Sequence, residues 1–152
     1  MGTFERLYHN LKDLLDEVTE IQDRHMSPTF QFNGFPGAFV VPSGNESDFL
    51  TTNDNQRVYA FKIWIFTEYD QTNKETSYTS LVSAVDAVID KIDKQENPDQ
   101  DSRSMANELG AGVTLLAVLA TPSRFALDEE TKLLGAEVSV RCKTTVDLTL
   151  LT

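Results

Sequence analysis

The chain has 152 residues, of which 24 are acidic and 13 basic, for a formal net charge of -11. This length suits one domain with a real core, and the charge excludes nucleic-acid binding by phosphate neutralisation, which needs clustered Lys and Arg. The single cysteine, Cys142, excludes an internal disulfide. An acidic surface keeps a protein soluble and would let it stand beside DNA without sticking to it. No apolar run approaches the roughly 20 residues that span a bilayer, so no membrane is expected. Met1 is followed by an amphipathic acidic segment, not a basic apolar one, so no signal peptide is expected either. The Asn45-Glu46-Ser47 sequon then has no glycosylation to report.

The first element is an amphipathic helix. Phe4, Leu7, Tyr8, Leu11, Leu14, Leu15, Val18 and Ile21 recur at three- and four-residue steps, and Asp13, Asp16, Glu17, Glu20 and Asp23 lie off that stripe. Thr3 is a candidate cap, and the helix is expected to end near His25, ahead of Ser27-Pro28. Gly34, Pro36 and Gly37 punctuate the segment after Pro28; Gly37 to Val41 reads as a short strand that Pro42 closes at an edge. Residues 43–56 are polar and read as a loop or long hairpin tip.

The most informative stretch is Arg57 to Tyr69. Tyr59, Phe61, Ile63 and Ile65 fall on one face of a strand, and Val58, Ala60, Trp64 and Phe66 on the other, with Lys62 the one charge near its middle. A strand apolar on both faces must be covered on both. The helix expected over Ser77 to Lys94, capped by Thr76 or Ser77, offers one cover through Leu81, Val82, Val85, Val88, Ile89 and Ile92; Asp86, Asp90 and Asp93 face away. The second cover is a partner chain or another layer. Trp64, Phe66 and Val58 are therefore candidate subunit-interface residues, since aromatic side chains anchor interfaces.

Residues 94–111 are polar and low in bulky side chains, and read as a flexible connection. Val113 to Ala120 is a buried strand ended by Thr121-Pro122, and Phe125 to Leu134 a second connection. Leu134 to Lys143 alternates: Leu134, Ala136, Val138, Val140 and Cys142 inward, Gly135, Glu137, Ser139, Arg141 and Lys143 outward. Cys142 thus reads as a core thiol. The tail from Thr144 extends that strand or reaches a neighbour. The expected fold is α+β: one mixed or antiparallel sheet with two amphipathic helices packed on one face. It spans residues 1–152 as a single domain, with flexible loops at about 43–56 and 94–111.

The search for chemistry returns little. His9 and His25, sixteen residues apart on one helix, would stand roughly 24 Å apart and share no metal. There is no G-x-S-x-G elbow and no P-loop; Pro36 removes an amide that a phosphate cradle would use. Asn97, Asp99, Asp101 and Glu108 occupy EF-hand ligand positions, but Ser102 stands where glycine is needed and Pro98 follows the first ligand, so a solvated linker is expected. The aromatics Phe30, Phe32, Phe35, Phe39, Phe49, Tyr59, Phe61, Trp64 and Phe66 have no interleaved basic residues, which disfavours a nucleic-acid stacking platform. No catalytic residue, cofactor or metal is expected, and no enzymatic activity.

An amphipathic first helix, FPGAFVVP at a short strand, NQRVYAFKIWIF after a polar loop, the helix SLVSAVDAVIDKID and the strand LLGAEVSVRC together resemble the tail terminator, or tail-completion, proteins of long-tailed bacteriophages. The likeness covers most of the chain and is one of layout; residues 97–110 carry no family signature. It implies a structural virion protein at the head-proximal end of the tail, made in the host cytoplasm. Such proteins form a homohexameric ring on the last ring of tail-tube protein, end its polymerisation and meet the head-tail connector and neck proteins. DNA would pass through an acidic lumen without specific binding. The alternatives are a head-completion, stopper or other neck protein, a tail-tube subunit, and a small cytoplasmic ligand-binding or enzymatic α+β domain, which would need a pocket with convergent polar groups.

Overall fold

The computed structural model describes residues 2–49, 54–94, 104–106 and 109–150, with side chains for all of these except 45–49 and Ser104. Helix α1 (Thr3–Asp16) is followed by strands β1 (Asp23–His25), β2 (Gly37–Phe49) and β3 (Asp54–Glu68). Helix α2 (Lys74–Asp93), a 3-10 turn at Ser104–Ala106, and strands β4 (Val113–Asp128) and β5 (Leu133–Asp147) complete the chain. The sheet order is β1-β2-β3-β5-β4, with β1 parallel to β2 and every other pair antiparallel. Both helices lie on one face. Leu7, Leu11 and Leu14 of α1 and Leu81, Val85 and Val88 of α2 share one core with Tyr59, Phe61, Ile63 and Ile65 of β3 and Val138, Val140 and Cys142 of β5. This is the expected α+β layout, and the expected division of β3 into two apolar faces.

α1 stops well short of His25. Its last turn is closed by Arg24, whose guanidinium donates to the carbonyls of Leu15 (2.7 Å), Val18 (3.0 Å) and Ile21 (2.9 Å). Val18 and Ile21 remain buried from a non-helical turn, so the apolar stripe outlasts the helix. His25 belongs to β1, not to the helix of His9. Gly2 is the N-cap of α1, and Thr3 instead donates its hydroxyl to the carbonyl of Leu109 (3.3 Å). α2 likewise starts earlier than expected: Asn73 caps it, accepting from the amide of Thr76 (3.4 Å), while the buried Ser77 hydroxyl accepts from the amide of Asp70 (2.9 Å).

Two expected strand ends are bulges. β2 runs through Pro42 to Phe49, paired with β3 as far as Phe49 opposite Asn55, so residues 43–49 and 54–56 are strand and not loop. Backbone pairing is indifferent to side-chain polarity, and a polar hairpin can extend beyond the core. β4 likewise runs through Thr121-Pro122 to Asp128, with register shifts at Leu115/Ala117 and Pro122/Arg124. Proline is tolerated because β4 is an edge strand, where a missing N–H breaks no ladder bond. The edge position also corrects its burial: Leu116 and Leu119 are 50% and 58% exposed. The connection after α2 is anchored where it is described. Met105 is fully buried, its carbonyl accepts from Asn10 Nδ2 (3.3 Å), and Leu109 is buried beside it. The EF-hand-like positions 97, 99, 101, 102 and 108 lie outside the described residues.

Candidate assembly interface

The helix-covered face of the sheet is buried, and the opposite face carries the candidate residues. Alternation along β3 puts Val58, Trp64 and Phe66 there, together with Ala60 and Lys62. Phe66 stacks with Phe39 (centroids 5.7 Å apart) and Trp64 (6.1 Å), and meets Phe30 and Phe32 edge-on or tilted (both 5.6 Å). Phe32 in turn touches Phe35 (5.8 Å). The segment between β1 and β2 thus folds back over one end of the open face, so the chain supplies part of the second cover itself.

The backbone makes room for these rings with glycine. A Cβ on Gly37 would come within 2.3 Å of a Phe32 ring carbon, and one on Gly135 within 2.7 Å of Phe66. The segment is tied down at its base. Asp23 Oδ2 accepts from the amide of Asn33 and lies against His25 Nε2, both at 2.8 Å. The Asn33 amide first, and the His25 contact after it, hold the Asp23 carboxyl below its ordinary value. The Tyr8 hydroxyl contacts the carbonyls of Met26 and, at 2.8 Å, Val40; burial pushes its pKa up.

The three candidate residues do not form one patch. Phe66 is only 6% exposed and is core-like. Trp64 is half-buried and lines an apolar cleft of about 620 Å³ with Phe30, Phe39, Val41, Leu127 and Leu133. Val58 lines a separate, more polar hollow of about 450 Å³ with Ser43, Gly44, Ala60 and Arg141. Between them sits Glu137, whose side chain is 11% exposed. Its Oε1 is 3.3 Å from Lys62 Nζ and 3.1 Å from the Ser123 hydroxyl. A carboxylate buried this far needs such partners to offset its lost hydration. Alternation places Glu137 outward as expected; its burial results from Trp64 and Arg124 flanking it in neighbouring strands. The legible hint was Lys62, a lone charge inside an apolar strand.

Charges of both signs lie on the helix layer, where Lys12 and Lys91 pair with Asp16 and Glu17. Asp13, Asp16, Glu17, Glu20, Asp86 and Asp90 are exposed on the helix layer and the turn after α1. The open face carries Lys62 and Arg124 near Glu137, Arg141 and Lys143 farther along β5, and Glu68 at the opposite end of β3. Among the described residues no group of three His, Cys, Asp or Glu side chains is placed to hold a metal ion, and no helix is long and apolar enough to cross a membrane. Cys142 is buried in the core, its thiol pushed up to about 12 by desolvation.

Neither a known protein-family profile nor a curated protein sequence matches this chain. Among solved structures it is similar to a chain from the virion of a native gene transfer agent (GTA) particle, with a TM-score of 0.51, 13% identity and coverage of 91% of each chain. At that identity the likeness is one of fold.

Proposed function

We propose that this chain is a structural virion protein, and within that class a tail-terminator subunit. It would close into a hexameric ring on the last ring of tail-tube protein, end tube growth and present a surface to connector and neck proteins. Its role is architectural and involves no catalytic step. The observation that carries the reading is the likeness in fold, along 91% of both chains, to a chain of a virion particle. The layout resemblance to tail terminators supports the finer assignment, and so does the apolar cleft at one end of the open sheet face, which the chain's own Phe30 and Phe32 cover only in part. Passage of DNA through an acidic lumen requires the helix layer, where the exposed acids gather, to be turned toward the ring axis.

The test is to add the chain to growing tail tubes of the corresponding particle and to count copies at the tube end by native mass spectrometry and electron microscopy. Capped tubes of fixed length, with a hexameric ring at one end, are expected. Tubes that lengthen unchecked in its presence would refute termination, and capture by connector rings in place of tubes would point to a head-completion or stopper role. The apolar cleft beside Trp64 favours one other reading, a ligand-binding α+β domain. A monomer that ignores tubes, yet gains thermal stability with small apolar ligands, would establish it.

A further inference from the structure

The apolar cleft beside Trp64 has two unlike ends. The ladder fixes its layout. One rung of the open face holds Phe39, Trp64, Glu137 and Arg124, the next Gly37, Phe66, Gly135 and Ala126, and the third Glu68, Leu133 and Asp128. Gly135 and Ala126 keep the middle rung low beside the Phe66 ring, and the exposed Phe30 walls the trough, whose volume is about 620 Å³. At the Trp64 end the outward charges are Lys62, Arg124 and Glu137, and Glu137 holds Lys62 at 3.3 Å. At the other end Asp128 and Glu129 line the cleft, and no basic residue does. With Glu68 and Glu130 beside them, this end carries four carboxylates against the single ammonium of Lys132. Among the described residues Asp128 accepts from the backbone amides of Glu130 (3.0 Å) and Thr131 (3.5 Å), and neither Asp128 nor Glu129 has an ion-pair partner.

An apolar trough with a negative end suits an occupant with an apolar body and a positive end. A purely apolar molecule would leave the carboxylates unused, and an acidic segment would be repelled. Spacing narrows the choice further. Successive rungs are two residues apart, so the Trp64 rung lies about 13 Å from the Asp128 rung. An extended segment presents alternate residues to one side at the same pitch. Two apolar residues, two positions apart, then rest against Trp64 and Phe66, and the residue two positions beyond them arrives at Asp128 and Glu129. A guanidinium there donates to carboxylates through its planar fork. The same cation at the Trp64 end would meet Arg124, so charge also sets the direction in which the segment lies. The net charge of -11 draws a basic segment toward the molecule.

We propose that this cleft docks an extended segment of a neighbouring virion protein, with two apolar anchors in the trough and an arginine at Asp128 and Glu129; this rests on the virion role proposed above. The probes are a capped peptide, Ser-Leu-Ser-Leu-Ser-Arg-Ser, and its copy with neutral citrulline in place of arginine. Binding is read from chemical shifts of the isotope-labelled full chain. The arginine peptide is expected to move the Trp64 indole and the Gly135 and Leu133 amides. The citrulline copy is expected to bind roughly fivefold more weakly, and added salt to close that gap. Asp128→Asn combined with Glu129→Gln is expected to bring the arginine peptide to the citrulline level, whereas Trp64→Ala weakens both peptides alike. Equal affinity of the two peptides, shifts confined to other surfaces, or no shift at millimolar peptide overturns the site. Tail tubes separate this inference from the role it rests on. A chain that binds the arginine peptide in the cleft but leaves tubes uncapped keeps the site and loses the terminator role. Tubes capped equally well by a chain carrying all three changes keep that role and overturn the cleft as its docking site.

Discussion

Replacing Phe66 and Trp64 separately distinguishes a core aromatic from a surface one on the same strand face. Phe66 is 6% exposed, touches four aromatic rings and lies over Gly135. Truncating a buried Phe to Ala costs about 3–5 kcal/mol. The space vacated by Phe66 joins the 620 Å³ cleft and can admit water, which places the cost near the lower end, about 3 kcal/mol. With a urea m-value of about 2 kcal/mol/M, the midpoint falls by about 1.5 M. Total stabilities are about 5–15 kcal/mol, so the variant still folds. Trp64 is half-buried and flanks the cleft, so Trp64→Ala is expected to cost about 1–2 kcal/mol in the monomer and to reveal itself in assembly instead. The assay is urea denaturation followed by far-UV circular dichroism, because Trp64 is the sole tryptophan and its fluorescence changes in both variants. A Phe66→Ala shift under about 1 kcal/mol, or a larger loss from Trp64→Ala, would refute the assignment of Phe66 to the core.

Three other substitutions or conditions probe the same framework. Gly37→Ala drives a methyl into the Phe32 ring and is expected to destabilise by about 1–3 kcal/mol; the loss should shrink in a Gly37→Ala, Phe32→Leu double variant measured by the same denaturation. Arg24→Ala removes three hydrogen bonds, one to Leu15 of α1 and two to Val18 and Ile21 in the turn after it, and is expected to cost about 1.5–3 kcal/mol, with Arg24→Lys restoring little because an ammonium lacks the fork. A normal Tm for Arg24→Ala would exclude that role. Cys142 has a folded-state pKa raised from 9.0 to about 12, so its contribution to stability is fully present below pH 9 and is lost as pH rises through that window. Thiol reagents at pH 8 should label it only in denaturant, and rapid labelling of the folded chain would contradict its burial.

The sequence by itself determined the class of fold and the two-sidedness of β3. Period-two alternation in Tyr59–Phe66 and in Leu134–Cys142, and the three- and four-residue spacing in α1 and α2, are local patterns with one geometric solution each. Where elements end was less legible. The apolar stripe of α1 continues to Ile21 because a turn, as well as a helix, can aim Val18 and Ile21 at the core; only the folded position of Arg24 shows that the helix has closed. Pro42 and Pro122 read as strand ends because proline cannot donate to a ladder, yet both lie inside strands next to bulges, where no described strand pairs on the outer side. Edge position is a property of strand order, and strand order is set by which distant segments meet. The same holds for the candidate surface. Val58, Trp64 and Phe66 alternate correctly onto one face, but their separation arises from contacts remote in sequence. Phe30 and Phe32 close over Phe66, and Lys62, Ser123 and Glu137 meet between the two hollows. A local pattern specifies which way a side chain points; what it then touches depends on chain segments that only the tertiary fold brings within reach.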